Sequence, residues 1–449
     1  MKIDIIWDSG RLKFSFIPED GDGDFSEKAR LGNTNCFVKL PSDWSLEGTH
    51  PDIIALATIL IIYPFSKYKI NLPFGVSKDF AELFEKVTKK KVFPIVESLK
   101  PRKSQIYSVP ALAYSGGVDS TAALAVLPNT AKLFFLDRKC DDREKNSDNK
   151  NVVYRFLNKI KFNRKKNTLY DKDAAYFACE SLKNMGRSVY MIESNLEYVR
   201  NPVGFPIDVA NSIPAILMAD YIGLDSIAFG TILESSYRIG HEKYLDYSKR
   251  THYIRWGKLF EIVGLPFNQV TAGISEVGTS KIVINSPYSD LAQSCMRGKA
   301  QTPCLNCWKC FRKVLLDKTL KDEELDDKLF EKVFKIREAT EQLSKNLIKH
   351  QNVLQYITYH YNGSNENMVF LKDKVMGEEN VDWLEKWYPK SIELIPEKYK
   401  DVVEKNILKY LEKMSTEEEI KVEQWNLGEL VKSENHKMKC EKFTESING

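Results

Sequence analysis

The sequence predicts an α/β protein whose core is a doubly wound parallel sheet, on three observations. From about residue 105 to residue 317, short apolar runs alternate with helical patterns, as strands joined by crossover helices do. One of those runs, Val109 to Tyr114, ends in Ser115-Gly116-Gly117-Val118-Asp119-Ser120 and leads into the helix-forming stretch Thr121 to Leu127. Four of the eight cysteines then fall between Cys295 and Cys310, so that the same region carries a metal-bearing end.

At 449 residues the chain is too long for one hydrophobic core. Composition divides it into an α/β N-terminal region (1–105), the core (106–318) and a Lys- and Glu-rich helical region (319–449). In the first, Lys2 to Trp7 and Arg11 to Ile17 alternate like strands, and helices are expected over Ile53 to Ile62 and Lys78 to Val87. Pro101 to Ser104 reads as a linker. Core strands are expected over Ser108–Tyr114, Lys132–Leu136, Ser188–Ile192 and Ser226–Phe229, with helices starting at Ser120, near Asp173 and near Asp208. In the last region Tyr399, Val402, Val403, Ile407, Tyr410, Leu411 and Met414 share one helical face, a core or interface stripe. The final twenty residues, polar and lysine-rich, are expected to be loosely ordered.

The formal charge of +4 is small against 66 basic and 62 acidic side chains, which does not mark a dedicated nucleic-acid binder but leaves room for local basic patches. The basic run Lys159, Lys161, Arg164, Lys165, Lys166 reads as a solvated helix end or loop, with an RNA or an acidic partner surface as the functional alternative. The start of the chain lacks a signal-peptide layout, and Ile53 to Phe65 falls short of the roughly 18 apolar residues that span a bilayer. No membrane association and a cytoplasmic location are therefore expected.

Strand, glycine turn and helix bring backbone N–H groups together on an anion at a helix N-terminus. Gly116 and Gly117 allow close approach and positive φ, while Ser115 and Ser120 add hydroxyls. Asp119 would repel a bare phosphate, which implies a Mg²⁺ bridging it to the ligand. The loop has neither the lysine of a Walker A motif nor the G-x-G-x-x-G pattern, so a nucleotide site of another kind is implied. Cys295, Cys304, Cys307 and Cys310 supply four thiolates within sixteen residues. That set suits a structural Zn²⁺, with an iron–sulfur cluster or unliganded thiols as alternatives.

The SGGVDS loop after a first strand resembles that of the PP-loop (N-type) ATP pyrophosphatases, whose fold belongs with the HUP-like sheets. The resemblance implies cleavage of ATP to AMP and pyrophosphate, with Asp137 near adenine and ribose. The cysteine segment Ser294 to Arg312 resembles the zinc site of 7-cyano-7-deazaguanine synthases (QueC-like enzymes). Asn211, Ile227-Ala228-Phe229-Gly230 and Ser280-Lys281-Ile282 match that family's intervening segments, and Lys281 would neutralise charge at the α-phosphate. The similarity covers about residues 109 to 316. It implies a ligase that adenylates a carboxylate resembling 7-carboxy-7-deazaguanine and hands it to an amine, with ATP, Mg²⁺ and Zn²⁺ as cofactors.

Two departures bear on the substrate. The family's arginine before the asparagine is absent from Val209-Ala210-Asn211, and its acid and thiol are absent from Tyr237-Arg238-Ile239-Gly240. Extended relatives of this kind resemble QueC-like components of bacterial anti-phage defence operons, which implies a protein or RNA acceptor. A homodimer is a further expectation. Arg238 and His241, after a strand end, are candidate substrate contacts. Two readings compete: a tRNA-modifying PP-loop enzyme (thiolase or lysidine type, with Cys140 or Cys179 as the redox thiol) and a non-catalytic ATP-binding scaffold.

Overall fold

The computed structural model describes residues 1–26, 29–139, 172–295 and 297–448. Cys140 and the basic run from Lys159 to Lys166 lie outside them. The fold is mixed α/β, with one large sheet and many helices.

Strands β1 (Lys2–Asp8) and β2 (Arg11–Ile17) form an antiparallel hairpin. In β2 the buried Leu12, Phe14 and Phe16 alternate with exposed residues, the period-two pattern of a strand with one face on a core. Strands β3 (Asp24–Ser26) and β4 (Ala29–Leu31) join a later strand in a small separate sheet. They are followed by β5 (Asn35–Lys39), helix α1 (Pro51–Ile62), β6 (Lys69–Ser77), helix α2 (Lys78–Thr88) and β7 (Lys91–Val96). The core adds β8 (Val109–Ala113), helix α3 (Val118–Val126), β9 (Lys132–Arg138), helix α4 (Asp173–Asn184), β10 (Val189–Ser194), β11 (Arg200–Asn201), β12 (Leu224–Ala228) and β13 (Phe267–Asn268). The expected core strands thus sit where the apolar runs placed them, and α3 starts two residues before Ser120.

The large sheet has ten strands in the order β13-β12-β8-β9-β10-β5-β2-β1-β6-β7. Strands β13 to β10 in that order are parallel to one another, and β5 joins β10 antiparallel. From β8 the chain moves outward to β9 and β10, then returns to the other side for β12 and β13. The order therefore reverses beside β8, which opens a crevice at the carboxyl ends of β8 and β12.

Alternation along these strands feeds two cores. Ala111, Ala113, Phe134, Leu136 and Ile227 face one, shared with α1, α2 and the helix Ile213–Leu217. Leu112, Tyr114, Leu133, Phe135 and Ala228 face the other, shared with α3 and α4. Helix α1 is apolar on every side because it is buried on every side. Among the described residues no helix is long and apolar enough to cross a membrane.

The strands of residues 1–105 continue the core sheet, and Trp44 Nε1 donates to Leu217 O at 2.8 Å. Two expectations need correction. The stretch Pro101 to Ser104 is an anchor, not a loose linker. Arg102 is buried, pairs with Asp220 at 2.6 Å and donates to the carbonyls of Val263, Gly264 and Leu224. The final residues form a helix, Glu434–Asn448, whose buried His436, Cys440 and Phe443 recur at helical spacing. A polar composition concealed that narrow apolar stripe.

The stripe of the C-terminal region is a core stripe as expected, but its helix (Lys400–Ile407) ends before Leu411 and Met414, and Met414 enters a different core. Tyr399, Val403, Ile407 and Leu411 pack into the core that holds α3, and Asn406 Nδ2 donates to Val126 O at the end of that helix (3.1 Å).

Candidate functional site

Beyond β8 the chain turns through Tyr114 to Gly117. Gly116 has φ +79°, so this position needs glycine for its dihedral, and a Cβ there would be in ordinary contact with Ala175 Cα on α4 at 3.4 Å. Gly117 is extended (φ −83°, ψ 165°), not positive in φ. It caps α3 with no side-chain bond, and a Cβ there would meet only Ser115 Oγ, so its missing side chain leaves room for a ligand. Ser115 Oγ and Ser120 Oγ lie 3.0 Å apart, and Ser120 Oγ donates to Gly117 O at 3.0 Å. Gly230, after β12, faces this turn from across the crevice. A Cβ on it would stand 2.7 Å from Ser120 N, too close for backbone to yield.

The turn opens into a cavity of about 350 Å³ between the carboxyl ends of β8 and β12. Ser115, Gly117, Asp119 and Ser120 line one side, and Asn211, Gly230 and Gln269 another. Asn211 Oδ1, Gln269 Oε1 and Gln293 Oε1 line it with no hydrogen-bond partner, and Gln269 is 99% buried, at 1% exposure. Buried amides left this way are costly unless a ligand completes them. Two cations, Arg250 and Lys309, reach the same space. Thr279 Oγ1 donates to Asp119 Oδ1 at 3.1 Å, which fixes the carboxylate at the first turn of α3. A carboxylate oxygen held at a cavity wall is the donor type that Mg²⁺ takes. On the opposite wall Asp208 Oδ1, His252 and Tyr247 form a chain, with Nε2 2.9 Å from the carboxylate and Nδ1 3.1 Å from the phenol oxygen.

Four sequence candidates lie elsewhere. Asp137 ends β9 next to β8 but does not line the cavity; Lys139, Lys172 and the Tyr176 hydroxyl each reach it at 2.7 Å. Burial would raise its carboxyl, and those donors outweigh that and hold it below the usual range. Lys281 is ion-paired with Glu385 at 2.5 Å and also stands outside the cavity. Arg238 and His241 do not line it either; burial, aided by Arg238, pushes His241 down to about 4. Sequence reasoning missed Arg250, Gln269, Gln293 and the Asp208–His252–Tyr247 chain. Gln269 had a signal: it is a polar residue closing a strand end beside the loop.

The four cysteines do come together. Their sulfurs lie within 4.8 Å of one another, with Cys304 Sγ and Cys310 Sγ 3.8 Å apart. Four sulfurs at about 2.3 Å from one tetrahedral zinc would stand about 3.8 Å apart, so the set could hold a metal ion such as zinc. Backbone N–H groups of Cys304, Asn306 and Cys310 point at the sulfurs of Cys295, Cys304 and Cys307, each at 3.4 Å. Helix α5 (Glu276–Ile284) precedes the cluster, and Cys307 caps helix α6 (Trp308–Leu320), which carries Lys309 in its first turn.

A buried charge network ties α5 and α6 to the C-terminal region. Glu276 is 2% exposed and accepts from Arg312 at 3.0 Å; Lys313 lies 3.3 Å and His350 Nδ1 3.0 Å from its oxygens. Burial alone would raise its carboxyl, but Arg312, Lys313 and His350 hold it well below the usual range. Removing one partner from a buried cluster costs about 3–5 kcal/mol, so Glu276→Gln should lower stability by that order at pH 7. A depressed carboxyl stabilises above its unfolded value of about 4.3, and that contribution is lost as pH falls through the folded value. In urea unfolding at a series of pH values, the gap between wild type and Glu276→Gln should therefore narrow below about pH 4. A gap constant down to pH 2 would remove Glu276 as the charged centre.

A model of a family of unknown function, DUF6395, matches residues 255–426, under half of the chain. That span takes in Glu276, the cysteine cluster and His350, and leaves out the Ser115–Ser120 turn. No curated protein and no solved structure matches.

Proposed function

We propose that this chain is an adenylate-forming enzyme of the PP-loop kind, built on a doubly wound sheet, that splits ATP into AMP and pyrophosphate. What carries the reading is the place of Ser115–Ser120: an uncapped helix N-terminus, at the reversal of strand order, facing a cavity with two cations and unpartnered amides. The β- and γ-phosphates would lie over the first turn of α3, against its N–H groups and the hydroxyls of Ser115 and Ser120. Asp119 would hold Mg²⁺, which supplies charge neutralisation on the leaving pyrophosphate. A carboxylate oxygen of the substrate attacks the α-phosphorus, the bond to the β-phosphate oxygen breaks, and pyrophosphate departs with the electron pair. An amine then attacks the acyl carbon and AMP leaves. The amine's proton passes to the Tyr247 hydroxyl as that group gives its own proton to His252, whose ring is held by Asp208.

The missing arginine before Asn211, and the missing acid and thiol after Tyr237, argue against simple conversion of a free deazapurine, and the flanking regions favour a larger acceptor. A protein or RNA amine fits, as does a role in anti-phage defence. The thiolase reading lacks support at Cys179, which is buried outside the cavity with its thiol pushed up to about 12 by burial.

Incubation with ATP, 7-carboxy-7-deazaguanine as probe carboxylate and hydroxylamine as probe amine tests the proposal. AMP and pyrophosphate in equal amounts are expected. ADP and inorganic phosphate as sole products would exclude the mechanism, and ATP bound without turnover would leave a scaffold.

A further inference from the structure

Residues flanking the four cysteines form part of the wall of the cavity that faces the Ser115–Ser120 turn. Gln293 and Ser294, the two residues before Cys295, both line the cavity. Gln293 N–H donates to Gly116 O at 2.9 Å, and Ser294 Oγ lies 3.5 Å from Val118 N, so the segment touches the phosphate turn directly. Lys309 stands between Cys307 and Cys310 and lines both this cavity and a smaller one of about 170 Å³ behind it.

The other lysines around the site are spoken for: Lys313 by Glu276, Lys281 by Glu385, Lys139 and Lys172 by Asp137. Among the described residues Lys309 has no ion pair or hydrogen bond. Arg312 and Lys349 stand near it, and the carboxylates that share its two cavities, Asp119, Asp208 and Asp317, make no ion pair with it. A lysine that makes no ion pair, carried on the first turn of α6 and lining the same cavity as the N-terminus of α3, is placed for an anion.

We infer that Lys309 binds the pyrophosphate portion of ATP, and that the metal held by the four cysteines positions it there. The inference rests on the adenylating reading for its ligand and adds a coupling between the metal and the nucleotide. Equilibrium coupling is reciprocal: whatever factor the metal adds to ATP affinity, ATP adds to metal affinity.

The test uses the full-length zinc-loaded protein. Calorimetric titration with MgATP should show Lys309→Met binding at least ~10-fold more weakly than wild type, with Lys309→Arg close to wild type and zinc content unchanged in both. In competition with a chelator of known zinc affinity, saturating MgATP should tighten the wild-type protein's hold on zinc several-fold. The same titration on Lys309→Met should show no tightening, which also corrects for zinc binding by ATP itself. Unchanged ATP affinity in Lys309→Met, or zinc affinity indifferent to ATP in wild type, would overturn the inference. Neither readout involves turnover, so a failure of the AMP-forming reaction with both couplings intact would count against the proposed function alone.

Discussion

Asp119→Ala should reduce formation of AMP and pyrophosphate by about 10²–10³-fold, the loss seen when one group aimed at developing charge is removed. The carboxylate sits in the first turn of α3 and lines the cavity, with one oxygen anchored by Thr279. A bare carboxylate there would repel phosphate, so its contribution requires a cation between the two. Asp119→Asn separates charge from shape. The amide oxygen still accepts from Thr279, so melting temperature should stay near that of wild type, yet turnover should fall almost as far as in the alanine variant. Steady-state rates across a Mg²⁺ titration, with melting curves on the same preparations, check both statements. Wild-type turnover in Asp119→Asn would remove the carboxylate from the reaction.

The central strands β8 and β9 were legible in the sequence because they are buried on both faces and read as unbroken apolar runs, Val109 to Tyr114 and Lys132 to Leu136. The Ser115–Ser120 turn and the cysteine cluster were legible because each is a contiguous segment with its residues at short, fixed spacing. Residues brought together from separate segments were not. Gln269, Gln293, Arg250 and His252 meet only once β12 and β13 lie beside β8, and each is an unremarkable polar residue in its own stretch. Lys281 misled for a related reason. It lies two residues from Thr279 on α5, and a helix turns about 100° per residue. Thr279 thus faces Asp119 while Lys281 faces Glu385.

The flanking regions close over the core rather than trailing from it. The N-terminal strands continue the sheet past β10, and α1 covers one face. The C-terminal chain reaches the other through Tyr399 to Leu411, and Tyr399 OH also bonds Asp225 on β12 at 2.7 Å. Arg102 does the same work at a junction by joining the carbonyls of three residues to Asp220. Truncation at residue 105 or 318 would therefore expose core surface, and functional assays belong on the full chain.

Removing the metal should have the largest effect on stability. Structural zinc contributes about 10–16 kcal/mol in small sites, comparable with the 5–15 kcal/mol by which whole domains are stable. Here the cluster caps α6, whose buried Phe311, Leu315 and Leu316 enter the core shared with the C-terminal helices. The same helix supplies Arg312 and Lys313 to Glu276, so loss of the cap also loosens the partners of a buried carboxylate. The purified protein should contain one zinc per chain. Cys307→Ser takes one sulfur from the metal site and weakens the cap on Cys310 N–H, which now reaches the Cys307 sulfur at 3.4 Å. If even 5 kcal/mol is lost, an unfolding entropy of about 2.1 cal/mol/K per residue over 449 residues lowers the melting temperature by about 5 °C or more. Metal analysis and thermal melts of wild type, Cys307→Ser and chelator-treated protein measure this. Iron with sulfide in the wild-type protein would replace zinc by a cluster. A metal-free Cys307→Ser protein that melts with wild type would show that the fold does without the ion.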